Sequence, residues 1–284
     1  MYSRAVTTPD PALLHRLEAF YDGLPRFTAH AEEFGGLVLF VRDGAGWPFY
    51  ARPRLDGDEP PSAADVLEAR ARQRDLGLPE AFEWVHETTP ELLAVARSAG
   101  LAVLEAPLMV LDPAALPDVA APGVRLLDPA SATFGADTEL SRAVAAVGFG
   151  TPGTGTGAGG AAERDATRVE LDAGAVEEER RAIVAGRRFT AVAELPDAGP
   201  VASGIGMRAG DVVEIAGVAT LPAFRRRGLG AALTLALARR AIDSGAGVVF
   251  LSASSLEVAR VYLSVGFRRI GTACIAEPAP VAAP

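Results

Sequence analysis

The sequence predicts two α/β domains in tandem, each a sheet flanked by helices, and three observations carry that prediction. The chain has 284 residues, more than one domain usually holds. An order of strand, strand, helix, strand, helix, strand can be traced once in each half. Between the halves lies DPAALPDVAAPG (112–123), rich in proline and alanine as linkers are. The expected boundaries are therefore a first domain at 1–111, a linker at 112–123, a second domain at 124–278 and a tail at 279–284.

Composition narrows the class. Hydrophobic residues at 49% and charged residues at 22% describe a globular chain. No apolar run approaches the roughly 18 residues that span a bilayer. The opening MYSRAVTTPDPALLHRLEAF lacks the apolar core of a secretory leader. A single cysteine, Cys274, leaves no internal disulfide and suits a reducing cytoplasm. The net charge of −9 argues against nucleic acid or an anionic membrane as the main partner. All 27 basic residues are arginine, so a Walker-type nucleotide loop and Schiff-base chemistry, which need lysine, are excluded.

In the first half, Leu13, Leu14, Leu17, Phe20 and Tyr21 form a helical stripe over 10–22. LVLFVRD (37–43) and WPFYARPR (47–54) read as strands joined by a turn at 44–46. A helix is expected from Ser62, a suitable N-cap, to Leu76, with Gly77 as its stop. AFEWVHE (81–87) reads as a strand, 90–99 as a helix and AVLEAPLMVL (102–111) as a strand. Trp47 and Trp84 are expected in core or cleft wall, and His86 as an ordinary strand-end histidine.

The second half opens with VRLLD (124–128), then helices near 131–147 and 175–187. Between them, GFGTPGTGTGAGGAAERD (148–165) contains Gly155-x-Gly157-x-x-Gly160. That dinucleotide pattern needs a strand before it and a helix after it; neither is expected, so the segment reads as a mobile surface loop. The charged run Glu177–Arg181 reads as a solvated helix face. FTAVAELP (189–196) and PVASGIGMR (200–208) are strands around a turn at 197–199.

Val212–Ala241 then organises the rest. An apolar strand ends at Pro222, and Arg225-Arg226-Arg227-Gly228-Leu229-Gly230 leads into a helix with apolar positions at Leu229, Leu233, Ala236 and Leu237, ended near Gly245. A helix start offers unpaired N–H groups and about half a positive charge. Glycines there let a pyrophosphate reach the backbone. A glycine kept for packing alone is the other reading of this turn.

Thr220-x-Pro222-x-x-Arg225-x-x-Gly228-x-Gly230 resembles the acyl-CoA signature of the GNAT superfamily of N-acetyltransferases. VVFLSAS (248–254) followed by Ser255-x-x-Val258-x-x-Val261-Tyr262-x-x-x-Gly266-Phe267 resembles the next strand and helix of that family. Ser255 departs from an asparagine common there. The resemblance implies two GNAT-like domains, each a mixed, mostly antiparallel twisted sheet flanked by helices. The first has lost the signature: Ala96 stands where Tyr262 stands in the second, and Gly100-Leu101 where Gly266-Phe267 do. It would then pack and shape the substrate cleft, with the glycine-rich loop bordering the acceptor site as a lid.

The resemblance further implies acetyl-CoA as co-substrate, held by Val218, Ala219, Thr220, Arg225, Arg226, Arg227, Gly228, Leu229, Gly230, Ala231 and Ser255. A backbone N–H of the strand would polarise the thioester carbonyl. Tyr262 would be the acid for the leaving thiolate and Glu214 the base for the amine. Alternation puts Glu214, Ala216, Val218 and Thr220 on one face of the strand, barring a bulge. A packing tyrosine and a surface glutamate are the plain readings of the same two residues.

His15, His30 and His86 are scattered and suggest no metal site, and Cys274 reads as a small buried hydrophobe. The expected activity is acetyl transfer to a primary amine of a small molecule or peptide, without metal, nucleic acid or membrane, in the cytoplasm, with room for a homodimer. A non-catalytic acyl-CoA sensor is the alternative. A nicotinamide enzyme fits worse, because Leu233 occupies the place of its third glycine.

Overall fold

The computed structural model describes residues 10–44, 46–57 and 59–279. In chain order the elements are α1 (Pro11–Gly23), β1 (Ala29–Phe34), β2 (Leu37–Arg42), β3 (Ala51–Pro53), α2 (Ala63–Asp75), β4 (Phe82–Val85), α3 (Glu91–Ser98), β5 (Leu101–Leu111), β6 (Val124–Leu126), α4 (Phe134–Phe149), α5 (Ala161–Thr167), α6 (Ala173–Val184), β7 (Arg188–Leu195), β8 (Gly199–Ala209), β9 (Val212–Thr220), α7 (Leu229–Asp243), β10 (Val248–Ser252), α8 (Leu256–Leu263) and β11 (Phe267–Pro278). Contacts divide the chain into two units, one of residues 1–108 with 269–284, the other of 109–268. The proline-rich segment 112–123 therefore belongs to the second unit, and the last strand from Arg269 onward to the first. The start of the chain at 1–9 and all but Ala279 of the expected tail lie outside the described residues.

In the first unit the strand order is β1-β2-β3-β4-β11-β5. Strands β1/β2, β2/β3 and β4/β11 are antiparallel, and β3/β4 is parallel. One face is packed by Val66 and Ala69 of α2 and Leu92 and Ala96 of α3, against Leu37, Leu39, Phe82 and Trp84. Local chemistry places α2: Ser62 accepts from the amide of Asp65 (3.2 Å), and the Asp65 carboxylate accepts from the amide of Ser62 (2.9 Å). This reciprocal capping box fixes the helix start at the expected residue.

Several expectations here need correction. Only Ala51–Pro53 of the stretch 47–54 forms a strand, and Trp47 is 84% exposed. Trp84 is buried as expected. Strand β1, AHAEEF, was not expected, because its half-exposed polar pattern carries no apolar alternation. Strand β11 was not expected either. Cys274 within it is fully buried, which pushes its thiol up to about 12.

The second unit has the strand order β10-β9-β8-β7-β6, antiparallel except for the parallel pair β9/β10. Leu233, Leu237, Ala238 and Ala241 of α7 cover one face, against Phe189, Ala191, Val213 and Ile215. Helix α4 lies on the other, with Val144 packed against Val201 and Leu221. The charged run on α6 is not solvated throughout. Glu179 is buried and ion-paired with Arg188 (2.7 Å) and Arg142 (3.6 Å).

Candidate active site

Strand β9 is paired to β10 only through Val212↔Val248, Val213↔Val249 and Glu214↔Phe250. Beyond Glu214 the two strands part. A cleft of about 870 Å³ opens there, lined by Ile215–Thr220 on one side, Ser252, Ser254 and Ser255 on the other, and the start of α7. Backbone groups of β9 that face the gap have no partner strand.

A β-bulge changes which residues look into the gap. The β8/β9 register shifts between Ser203↔Ala219 and Ile205↔Ala216, with Gly217 in the left-handed region at φ +61°. One extra residue reverses the strand's alternation. Val213 and Ile215 belong to the α7 side, so Glu214 faces the opposite side. After the bulge, Val218 packs against the α7 cluster instead. The expected shared face of Glu214, Val218 and Thr220 is thus broken, and Glu214 is not among the residues lining the cleft.

The turn into α7 leaves its helix start open. Gly228 is the N-cap at φ +77°, and no side chain caps the helix. Among the described residues, no acceptor takes the amide hydrogens of Gly228, Leu229, Gly230 or Ala231; the first bond of this end is Ala232 N–H to Gly228 O (3.0 Å). Arg226, beside them, has φ +64° and is the one described non-glycine residue with positive φ. Such a conformation costs about 1–3 kcal/mol and gathers at ligand sites. A Cβ built on Gly230 would meet only Thr220 Oγ1, at 3.8 Å. No protein atom therefore demands a glycine there.

The three arginines divide. Arg225 and Arg226 both line the cleft. Arg227 lies over the Phe224 ring, 5.2 Å from its centre. Arg225 reaches across to the glycine-rich loop, where it donates to Gly148 O (2.7 Å), Thr151 O (2.7 Å) and Gly155 O (3.1 Å), and also to Thr220 O (3.2 Å). Four of its five N–H donors are thereby used. Further bonds from Gly157 N–H to Pro222 O (3.2 Å) and from Ala223 N–H to Gly159 O (2.9 Å) stitch the same loop to the turn. Thr154 also donates to Glu257. The expected mobile loop is therefore a tied wall, and a helix, α5, follows it. The element before it is α4, not a strand, so the dinucleotide pattern still fails.

Tyr262 lines the cleft and is 7% exposed, with its ring edge-on to Phe267 (centroids 6.2 Å apart). Burial pushes its phenol up to about 12, so it carries its proton at neutral pH. Ser255 caps α8, accepting from Val258 N–H (3.2 Å), and its hydroxyl hydrogen remains available. Val218, Ala219, Thr220, Leu229 and Ala231 all line the cleft. Phe149, Thr151 and Thr154 also line it; no local motif marks them, because they arrive through the tie to Arg225. Among the described residues, no group of histidine, cysteine or carboxylate side chains could hold a metal, and no helix is long and apolar enough to cross a membrane.

Residues 161–267 match the profile of the Acetyltransferase (GNAT) family. The fold of the whole chain is similar to that of a GCN5-related N-acetyltransferase from Kribbella flavida, at 22% identity over 94% of this chain and 96% of that one, with a TM-score of 0.65. It is also similar to a GNAT-family protein from Novosphingobium aromaticivorans, at 18% identity over 95% and 100% of the two chains, with a TM-score of 0.55. No curated protein matches the chain.

Proposed function

With a GNAT acetyltransferase domain at residues 161–267 as the premise, we propose that the chain transfers an acetyl group from acetyl-CoA to a primary amine of a small molecule or peptide. The family supports acyl transfer in general. One observation carries the finer reading: a strand pair that parts beside four unpaired helix-start amides, with a buried, protonated tyrosine in the same cleft.

Acetyl-CoA would supply the activated acyl group and a diphosphate. The amides of Gly228–Ala231 would hold the diphosphate, helped by the charge of the helix start and by Arg226. The backbone groups of β9 between Ile215 and Thr220 that point away from β8 would line up the pantetheine arm, with one N–H aimed at the thioester oxygen. Tyr262 Oη would hold the proton for the departing thiolate, in a setting where burial keeps that proton on. Arg225 would act at one remove, by fixing the loop wall. Glu214 is the carboxylate proposed as base; it would have to serve the amine from the other face of β9, directly or through water.

The test is release of free thiol from acetyl-CoA across a panel of primary amines. Amine-dependent release that Tyr262→Phe slows, while the Kd for acetyl-CoA holds, supports the reading. Binding without turnover on any amine would favour an acyl-CoA sensor on the same fold.

A further inference from the structure

We propose that the acceptor is a primary amine carried on an apolar body, and that Phe149 selects it; this rests on the acyl-transfer reading above. Phe149 ends α4, lines the cleft and is 58% exposed. A phenylalanine left in water forgoes the free energy that covering its ring would return. Its backbone is held from both sides. Arg225 donates to the carbonyls of Gly148 and Thr151, which flank it (2.7 Å each). Gly148 lies so close to β9 that a Cβ there would stand 2.9 Å from the Ala219 Cβ. The ring is thus fixed in an open cleft rather than waiting to fold inward.

The surroundings extend the same surface. Pro152 lines the cleft from the loop, and α8 contributes the half-buried Val258 and Val261. Thr154 donates to Glu257, the neighbour of Val258, so the loop and α8 meet across one hydrogen bond. Tyr262, the proton donor, follows Val261 on that helix and lines the cleft with it. An amine served by Glu214 must come from the face of β9 opposite α7, and that is the face α4 covers.

Charge argues against a polycation here. Among the described residues lining the cleft, the charged side chains are Arg225, Arg226 and Glu257. Arg225 is engaged with four carbonyls, Arg226 stands beside the open helix start, and Glu257 holds Thr154. The further ammonium groups of a polyamine would meet two arginines and one carboxylate. An apolar body would instead cover Phe149 and the two valines. In the transfer the amine nitrogen forms the C–N bond as the thioester C–S bond breaks. The nitrogen sheds one proton and the thiolate gains one, leaving an amide and free CoA thiol.

Thiol release from acetyl-CoA with 2-phenylethylamine, ethylamine and spermidine tests this, alongside calorimetry of 2-phenylethylamine on the full chain. 2-Phenylethylamine should exceed both others in kcat/KM by about tenfold or more. Phe149→Ala should remove most of that advantage, through KM rather than kcat, and Phe149→Tyr should keep it. A preference for spermidine, or an equal loss on ethylamine and 2-phenylethylamine in Phe149→Ala, would overturn the proposal. Weaker acetyl-CoA binding in Phe149→Ala would overturn it too, by giving the ring to the cofactor. If no amine releases thiol, yet 2-phenylethylamine binds and Phe149→Ala weakens it about tenfold, acyl transfer falls and this site stands. Absence of both release and binding would overturn both.

Discussion

In the second unit the helix after the parted strand begins Gly228-Leu229-Gly230, with four amide hydrogens unclaimed and no side-chain cap. In the first unit the helix in the same place begins after Pro60-Pro61-Ser62 and is closed by its own Asp65. The strands part in both units, β3 and β4 after the single pair Ala51↔Phe82, so the sheet geometry alone does not decide what a cleft accepts. The difference lies in how the helix end is left: its amides open in one case, satisfied by the chain itself in the other. A capped start is locally more stable, and an uncapped one remains available to an anion.

The largest expected effect tests the asymmetry in proton supply. Ala96 replaces the tyrosine in the first unit, so removing the Tyr262 hydroxyl should make the second resemble it. Tyr262→Phe should lower kcat about 10²–10⁴-fold with the Kd for acetyl-CoA unchanged; an unaltered kcat would remove Tyr262 from the chemistry. Because burial holds its phenol up to about 12, the wild-type rate should show no loss from this group between pH 8 and about 10. The stability linked to Tyr262 follows the same sign, being present below the ordinary phenol value and lost as pH rises toward about 12.

Next comes the open helix start. Gly230→Ala meets no protein atom closer than 3.8 Å and should leave melting unchanged or raise it, since alanine favours a helix by about 1 kcal/mol over glycine. It should still weaken acetyl-CoA binding about 10–100-fold, the worth of one or two charge-assisted amide bonds. Gly228→Val is a blunter tool, because its φ of +77° would be strained by any side chain. Undiminished affinity in Gly230→Ala would break the contrast between the two helix starts.

Arg225→Gln sharpens it further. If the guanidinium is a clamp for the loop, stability should fall by roughly 2 kcal/mol, and the segment 150–156 should become open to protease, with acetyl-CoA affinity changed less than about tenfold. A loss of affinity without loop cleavage would make Arg225 a phosphate ligand instead. The smallest effect belongs to the first unit. Ser62→Ala should cost about 1 kcal/mol in thermal or urea unfolding. Burial opposes ionisation of Asp65, but hydrogen bonds from Ser62 and Gly36 hold its carboxyl below the usual range. Its contribution is therefore present above the ordinary carboxylate value and lost as pH falls through the lowered one. The Ser62→Ala penalty should shrink in acid.

Much of this was legible because it is local. Helix α2 announced itself through Ser62 and Gly77, and α7 through the glycines before it and the apolar spacing within it. Buried Trp84 and Cys274 followed from residue type. Strand β1 hid because an edge strand of Ala, His and Glu has no apolar rhythm. The reversal at Gly217 hid because a bulge depends on the partner strand's register, which no short window contains.

The residues alone determined the glycine turn with its open helix start, the tyrosine and the loss of both from the first half, since these depend on neighbours within a few positions. Tertiary structure alone decided where β9 and β10 part, that Arg225 serves the loop, that Glu214 faces away from the cleft, and that β11 from Arg269 onward joins the first unit. Each of those turns on hydrogen bonds or packing between residues far apart in sequence, and such pairings are set by the folded sheet rather than by any local pattern.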